Sequence, residues 1–108
     1  MSARAAGGRA GGRAGPARFD AEIHAPMRLR ICGALSEVDS VEFSFLRSQL
    51  GVADSVLSKH LGRLEAAGYV QLTKGSASGR PRTWAALTGA GRAAFAGHVA
   101  ALREIAGL

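Results

Sequence analysis

The stretch Asp54–Leu87, DSVLSKHLGRLEAAGYVQLTKGSASGRPRTWAAL, decides the fold. Its first half places Leu57, Leu61 and Leu64 at i, i+4 and i+7, which is the spacing of one face of an α-helix. Gly68 marks the end of that helix. The β-prone runs YVQLTK and RTWAAL then flank a glycine-containing turn. We therefore predict a helix that leads directly into a β-hairpin.

Two shorter helices are expected before this stretch. The first begins near Pro26, a favourable residue for a first turn, and runs to about Leu35. A loop and a very short strand in VEF follow. Phe43, Leu46 and Leu50 then recur at i, i+3 and i+7 and predict the second helix. The glycine after it suits a tight turn into the leucine-striped helix.

A long helix is expected after the hairpin, over residues 88–106, with Thr88 as its N-cap. Its apolar face contains Phe95, His98, Val99, Leu102 and Ile105. This face is too apolar for a terminal helix that touches only its own small domain. It would pack on the first helix or against its counterpart in a second subunit, and we predict the second, the interface of a homodimer. Within it, we expect His98 to be a packed, locally bonded histidine, with pH sensing as the alternative.

The predicted order is therefore α-β-α-α-β-β-α, mainly α with a small β-hairpin. Two helices joined by a tight turn form a helix-turn-helix, and the hairpin after them is a wing. We assign this winged helix-turn-helix domain to residues 20–108. Residues 1–19 are a Gly/Ala/Arg-rich tail that is expected to be disordered, because it offers little apolar surface to bury. It is either a dispensable leader or a basic arm for DNA.

Positive charge is concentrated in two segments. The chain has 14 Lys and Arg against 8 Asp and Glu, a net charge of +6. Residues 1–18 carry four arginines and no acid, so the remaining 90 residues set ten cations against all eight acids and carry only +2. Within them, KGSASGRPR at 74–82 has three cations and no acid. This concentration indicates a polyanionic partner.

The helix that carries the leucines should present a small, polar and cationic face to solvent. Small residues allow close approach to a groove, serine bonds to bases or phosphates, and Lys and Arg reach phosphates or guanine edges. In the hairpin, Gly75 and Gly79 are expected to allow a sharp turn. The residues predicted to contact DNA are Ser55, Val56, Ser58, Lys59, His60 and Arg63 on the helix and Lys74, Ser76, Ser78, Arg80 and Arg82 on the wing.

Two of these assignments have plain structural alternatives. In isolation, Lys59 and Arg63 at i, i+4 are typical of an ordinary solvated helix face. His60, beside the leucine stripe, is as readily a half-buried structural histidine as a reader of bases. The second helix of a helix-turn-helix favours the DNA-binding interpretation, because that architecture presents this face to a groove.

The segments LSKHLGRLEAAGYVQLTKG and GRPRTWAALTGAGRAAF, with MRLRICGAL and FSFLRSQLGV before them, resemble the small winged-helix transcriptional regulators. These are relatives of the multiple-antibiotic-resistance regulators and of arsenical-repressor-like proteins. The resemblance covers roughly Pro26–Leu102. It implies dimeric DNA binding, with Ser58 and Lys59 at the groove and Arg80 and Arg82 on the wing.

The chain departs from that family at the start of its recognition helix. Related helices often begin with Ser or Thr at the position of Ala53, which cannot cap. The cap is therefore weaker here, or it is shifted to Asp54 or Ser55.

The chemistry of an enzyme or a metalloprotein is not visible in the sequence. His24, His60 and His98 are scattered, and none pairs with Cys32, the only cysteine, at a metal-ligand spacing. No glycine-rich loop suits a nucleotide. We expect no catalytic residue, no metal and no cofactor. Cys32 is expected in the core, and redox sensing is the alternative, since it would need access and a low pKa.

The sequence therefore predicts a non-enzymatic, sequence-specific regulator of transcription that binds double-stranded DNA as a dimeric repressor. Its third helix would enter the major groove, and its wing would lie on the flanking backbone or minor groove. The alternatives are a winged-helix protein-interaction module and a non-specific nucleic-acid-binding protein. No run of about eighteen apolar residues is present, so a cytoplasmic, nucleoid-associated protein is expected. The Ala, Gly and Arg usage favours a GC-rich bacterial genome. Whether an effector controls binding is left open.

Overall fold

The computed structural model describes residues 16–108, so residues 1–15 of the expected tail lie outside the described residues. The elements are, in order, α1 (Ala21–His24), α2 (Pro26–Ser36), β1 (Val41–Glu42), α3 (Phe43–Leu50), α4 (Asp54–Ala66), β2 (Val70–Ala77), β3 (Arg80–Leu87) and α5 (Gly89–Ala106). The expected winged helix-turn-helix order is confirmed. One short helix, α1, is added before it.

The three strands form an antiparallel sheet in the order β1-β3-β2. The β2–β3 ladder is uninterrupted from Val70 opposite Leu87 to Ala77 opposite Arg80. Only Ser78 and Gly79 are left to make the turn, and both have positive φ, at 53° and 76°. This is the conformation that two-residue hairpin turns favour, because its twist matches that of the strands.

The strands of the wing therefore run almost to its tip, whereas the sequence predicted a turn over residues 75–81, between YVQLTK and RTWAAL. The expected role of Gly75 was wrong, because this glycine pairs with Arg82 in the ladder and takes no part in the turn. A Cβ at Gly75 would lie 3.1 Å from Cζ3 of the Trp84 ring. The glycine therefore leaves room for the indole, and Gly79 alone fulfils the expectation of a turn glycine.

The leucines of α4 face the domain centre, as their spacing predicted. The buried core consists of Ile23, Ile31, Cys32, Leu35, Leu46, Leu57, Leu61, Leu64, Val70, Ala85 and Leu87. Burial raises the pKa of the Cys32 thiol to about 11, with the negative charge of Asp20 adding to the effect. A buried thiol of this kind is neither accessible nor ionised, which argues against redox sensing.

Helix α1 was missed because four residues are too few to show a helical period. Asp20 caps it, and one of its carboxylate oxygens accepts hydrogen bonds from the backbone N–H groups of Glu22 and Ile23. The other oxygen accepts a hydrogen bond of 2.6 Å from the Tyr69 hydroxyl. Ile23 is fully buried. A cap, a tyrosine and one apolar anchor therefore hold α1 against the domain.

His98 fastens the N-terminal segment to α5 from within the chain. Its Nδ1 accepts the Asp20 N–H at 2.9 Å, so its proton lies on Nε2, which donates to His24 Nδ1 at 3.2 Å. Burial, helped by His24, lowers the pKa of His98 below its ordinary value of 6.5. Because His98 is fully buried and bonded within its own chain, it cannot belong to the expected dimer face. Its inclusion there was wrong.

Residues 16–19, the last part of the expected tail, lie along α5. The Arg18 N–H donates to the Gly97 carbonyl at 2.9 Å. The ring of Phe19 packs edge-on against His98, with 4.8 Å between the centroids. The close approach depends on Gly97, where a Cβ would lie 3.3 Å from the Pro16 carbonyl oxygen.

The junction between α3 and α4 is held by an ion pair and has no side-chain cap. Ala53 occupies the N-cap position, and no side-chain hydrogen bond caps the helix. Of the two expected outcomes, the structure therefore shows the weaker cap and not a shifted one. The Asp54 carboxylate instead lies 2.8 Å from Arg47 Nε, near the end of α3. Asp54 in the first turn also interacts favourably with the dipole of α4. This pair joins the two helices of the helix-turn-helix.

Gly91 provides a direct test of the packing between α5 and the hairpin. A Cβ there would lie 2.1 Å from the Tyr69 carbonyl oxygen, a backbone atom that cannot move aside on its own. We expect Gly91→Ala to lower the free energy of unfolding by about 2 kcal/mol or more. The matched control is Gly89→Ala in the same helix, where a Cβ meets nothing within 4 Å. Urea denaturation should show the control to be neutral or slightly stabilised. Equal losses in both variants would contradict this packing.

Candidate nucleic-acid interface

The outward face of α4 presents all six residues that the sequence assigned to it. With the leucines buried, the remaining positions of the helix point away from the core. Ser55, Val56, Ser58, Lys59 and Arg63 are exposed, and His60 is half-buried. Val56 is the one large apolar side chain on this face and is 38% exposed. The face is therefore small, polar and cationic.

The wing displays its cations on two different faces of the hairpin. Because side chains alternate along a strand, Lys74 lies on the same face as its partner Thr83, which is the face turned toward the core. Lys74 lines a shallow hollow there together with Ser58 of α4. Arg80 and Arg82 lie on the opposite face. Lys74 therefore continues the surface of α4, whereas the two arginines form the outer edge of the wing.

The remaining predicted wing residues lie at the tip of the hairpin. Ser76 is exposed in β2, and Ser78 is exposed in the turn itself. Arg80 is also exposed, next to the turn. The hydroxyls and the guanidinium are thus displayed within a few residues of one another at the farthest point of the wing.

Arg82 is less available than its sequence position suggested. Its Nε lies 2.8 Å from a carboxylate oxygen of Glu42, the second residue of β1. Both side chains are about one-third exposed. Strand β1 thus places an acid beside this arginine. The contact forms because β1 and β3 are neighbours in the sheet. Any anion that binds Arg82 has to compete with Glu42.

Arg63 is held in the same way on the other flank of α4. Its Nε and Nη2 each lie 3.3 Å from a different carboxylate oxygen of Glu22 in α1. The pair is exposed, so it is screened by salt and worth little stability. Among the predicted contact residues, the described part of the chain leaves Lys59, Lys74 and Arg80 without a carboxylate partner.

A buried arginine beneath the interface was missed by the sequence reading. Arg28 is only 8% exposed. Its Nε–H donates to the Glu22 carbonyl oxygen, and its Nη1 lies 3.3 Å from Nδ1 of His60. Arg28 lies three and four residues before the core residues Ile31 and Cys32, so the sequence places all three on one face of the helix. Because arginine is mostly exposed in proteins, this spacing alone does not predict that Arg28 is buried.

His60 is surrounded by positive charge. Burial lowers its pKa below the ordinary 6.5, and the charges of Arg28, Lys59 and Arg63 act in the same direction. The imidazole is therefore neutral at pH 7. It belongs to the polar surface of α4 without adding to its charge.

Residues 16–108 contain no group of three or more His, Cys, Asp or Glu side chains placed to hold a metal ion. Within the same range, no helix combines the length and the apolar character needed to cross a bilayer.

Comparisons with known proteins agree with this geometry. The model of a family described as winged helix DNA-binding domain matches residues 27–106. The Methanocaldococcus jannaschii protein MJ0432, itself uncharacterised, is 33% identical over 73 residues, which are 68% of this chain and 79% of that protein.

Two solved structures share the fold. A transcriptional regulator homologue from Pyrococcus horikoshii superposes with a TM-score of 0.75 at 26% identity, over 80% of this chain and 85% of that one. HlyU from Vibrio cholerae superposes with a TM-score of 0.56 at 20% identity, over 81% and 86% of the two chains, and supports the fold alone. The buried leucine stripe, the exposed polar helix face and the wing are thus the parts of a known architecture. The chain belongs to the winged helix DNA-binding domain family.

Proposed function

We propose that this protein is a sequence-specific regulator of transcription that binds double-stranded DNA with α4 in the major groove and the wing on the flanking backbone or minor groove. One observation carries the proposal. Lys59 on α4, Lys74 on the adjoining face of the wing and Arg80 at the outer edge of the wing have no carboxylate partner in the described chain. Cations left free beside hydroxyl groups are suited to phosphates and base edges.

The contacts divide by their position. Ser55, Ser58 and Lys59 are in the first half of α4, the part of a recognition helix that reaches base edges, so we assign them to sequence readout. Lys74 and Arg80 on the wing are assigned to phosphates, where each neutralised charge adds to the salt dependence of binding. Such a protein would act in the cytoplasm, on the nucleoid.

We further propose that the protein is a homodimer formed through α5 and acts as a repressor by covering its site. Val99 and Leu102 are half-exposed on the apolar face of α5. Ile105 is 72% exposed and Leu108 is 87% exposed. Apolar side chains left in water along one helix favour burial against a second copy. A two-fold dimer would set two α4 helices about 34–36 Å apart, one turn of DNA. Phe95, which was predicted to lie at the same interface, is partly buried and packs against the core of its own chain.

The alternative of a protein-interaction module has less support. In that role the outward face of α4 would dock on a partner and would carry an apolar patch. Here that face has one large apolar residue, Val56. Its other exposed positions are serines and cations.

Substitutions in α4 and in the wing should have different effects on DNA binding. Lys74→Gln and Arg80→Gln should each weaken binding to every duplex and reduce the salt slope by about 1. Ser55→Ala and Lys59→Gln should instead change the preferred sequence, at a cost of about 1–3 kcal/mol on the best site. Fluorescence anisotropy on a selected duplex and its scrambled version, over a salt series, measures both effects.

The control for that experiment is Arg103→Gln, which removes the same charge from an exposed position near the end of α5. Its affinity and salt slope should match those of the unmodified protein. If it weakens binding as much as the wing variants do, only net charge matters, and the assigned DNA surface is wrong.

The second prediction concerns the ion pair on β1. Glu42→Gln should release Arg82 and tighten binding to all duplexes by up to about five-fold, because an ion pair near the surface is worth about 0.2–1 kcal/mol. The salt slope should steepen. Glu37→Gln, the same change at the exposed end of α2, serves as the control. Unchanged or weaker binding by Glu42→Gln would show that Arg82 makes no contact with DNA.

The third prediction tests the dimer. Ile105→Asp places a charge where the proposed interface is apolar, and it should shift the protein to a monomer in sedimentation equilibrium and weaken DNA binding. The monomer fold should persist, because Ile105 is mostly exposed. Val38→Asp adds the same charge at another exposed apolar residue, outside α5, and should leave the mass unchanged. A chain that is already monomeric before substitution would refute the dimer.

A further inference from the structure

We propose that His60 is a sequence-reading residue with a fixed polarity, and that the buried Arg28 beneath it is the positioning residue that fixes it. His60 would offer DNA one neutral hydrogen-bond donor, its Nε2–H. The inference rests on the proposed DNA-binding function and adds to it the kind of atom that this position recognises.

The tautomer follows from the chemistry of the pair. A guanidinium has five N–H donors and no acceptor, and it does not lose its proton in proteins. Arg28 Nη1 lies 3.3 Å from His60 Nδ1. That nitrogen can only be the acceptor in this contact, so it carries no hydrogen. A neutral imidazole then has its single hydrogen on Nε2.

Arg28 is held so firmly that the assignment does not depend on a mobile side chain. The residue is 8% exposed, and its Nε–H donates to the Glu22 carbonyl oxygen. It lies three and four residues, about one helical turn, before the buried Ile31 and Cys32 on α2. Packing and a hydrogen bond to the backbone therefore both fix the guanidinium. The residues predicted to contact DNA are, by contrast, exposed or only half-buried.

The surroundings oppose a second proton on the ring. Arg28 of α2 and Lys59 and Arg63 of α4 all carry positive charge near His60, and the one acid on the adjoining helix, Glu22, has both carboxylate oxygens beside Arg63. Protonation of Nδ1 would also bring an N–H against the guanidinium. A neutral ring is therefore favoured by charge as well as by geometry.

The donor nitrogen is accessible. Nε2 of His60 is not a buried atom without a hydrogen-bond partner. In residues 16–108, only one carboxylate oxygen of Glu22 and one of Glu42 are of that kind. Nε2 makes no hydrogen bond within the described chain. The adjacent residue, Lys59, is exposed. Nε2–H is thus a free donor on the flank of the helix assigned to the major groove.

A donor of fixed polarity discriminates between bases. In the major groove it can bond to purine N7, guanine O6 or thymine O4, and it is repelled by the amino groups of cytosine and adenine. Guanine offers two such acceptors side by side. We therefore expect one position of the bound sequence to favour guanine, which presents only acceptors on this edge, and to disfavour cytosine, which presents none. Because the donor is uncharged, its loss should leave the salt slope unchanged.

The test compares selections from a randomised duplex library. The full-length protein should enrich a motif in which one position favours guanine and disfavours cytosine. His60→Ala should lose the preference at that position alone and bind the original motif several-fold more weakly, with the same salt slope. Arg28→Met frees the tautomer, so the same position should also accept cytosine. Arg30→Met, the identical change at an exposed residue of the same helix, should keep the full motif.

A second measurement does not depend on whether Arg28→Met folds. Nitrogen NMR of the histidine rings in the unmodified protein at pH 7 should show His60 protonated at Nε2 and bare at Nδ1. A proton on Nδ1, or a charged ring, would overturn the inference. So would a His60→Ala variant that retains the motif, or one that loses affinity equally for all sequences, which is the behaviour of a phosphate contact. If the unmodified protein enriches no motif, the proposed function itself fails.

Discussion

The burial of Leu57, Leu61 and Leu64 in the core is the interaction on which the rest of the molecule depends. It fixes the rotation of α4 about its axis, because a helix that buries one stripe has no freedom in what it shows on the others. Serines and cations are thereby turned outward. The hairpin that follows directly carries Lys74 to the same side as Ser58. One apolar stripe thus generates a continuous polar surface made from two elements.

The charge of that surface is adjusted by elements that the stripe does not specify. Helix α1 brings Glu22 to Arg63, and β1 brings Glu42 to Arg82. Each acid pairs with one cation, while Lys59, Lys74 and Arg80 have no carboxylate partner in the described chain. Exposed pairs of this kind are weak and screened, so phosphates can replace the carboxylates.

The sequence predicted the winged helix-turn-helix because its signals are periodic and local: a leucine stripe, a hairpin and a glycine turn. It failed where a feature depends on contacts distant in the chain. Gly75 resembles a turn glycine in the sequence, because its contact with Trp84 depends on the strand register. His98 looked like part of an exposed stripe because its partner Asp20 is 78 residues away. The predicted contact residues of α4 could be found from spacing, but Arg28 beneath them could not, because nothing local marks an arginine as buried.

Amide chemical shifts during titration with a selected duplex test the central claim most directly, since they report every residue of the proposed surface at once. The account predicts the largest changes along Ser55–Arg63 and at the hairpin tip, residues 76–80. It predicts little change at residues 37–39, after α2. Changes confined to the last turns of α5 or to α3, with α4 and the wing unaffected, would contradict the assignment of this surface to DNA.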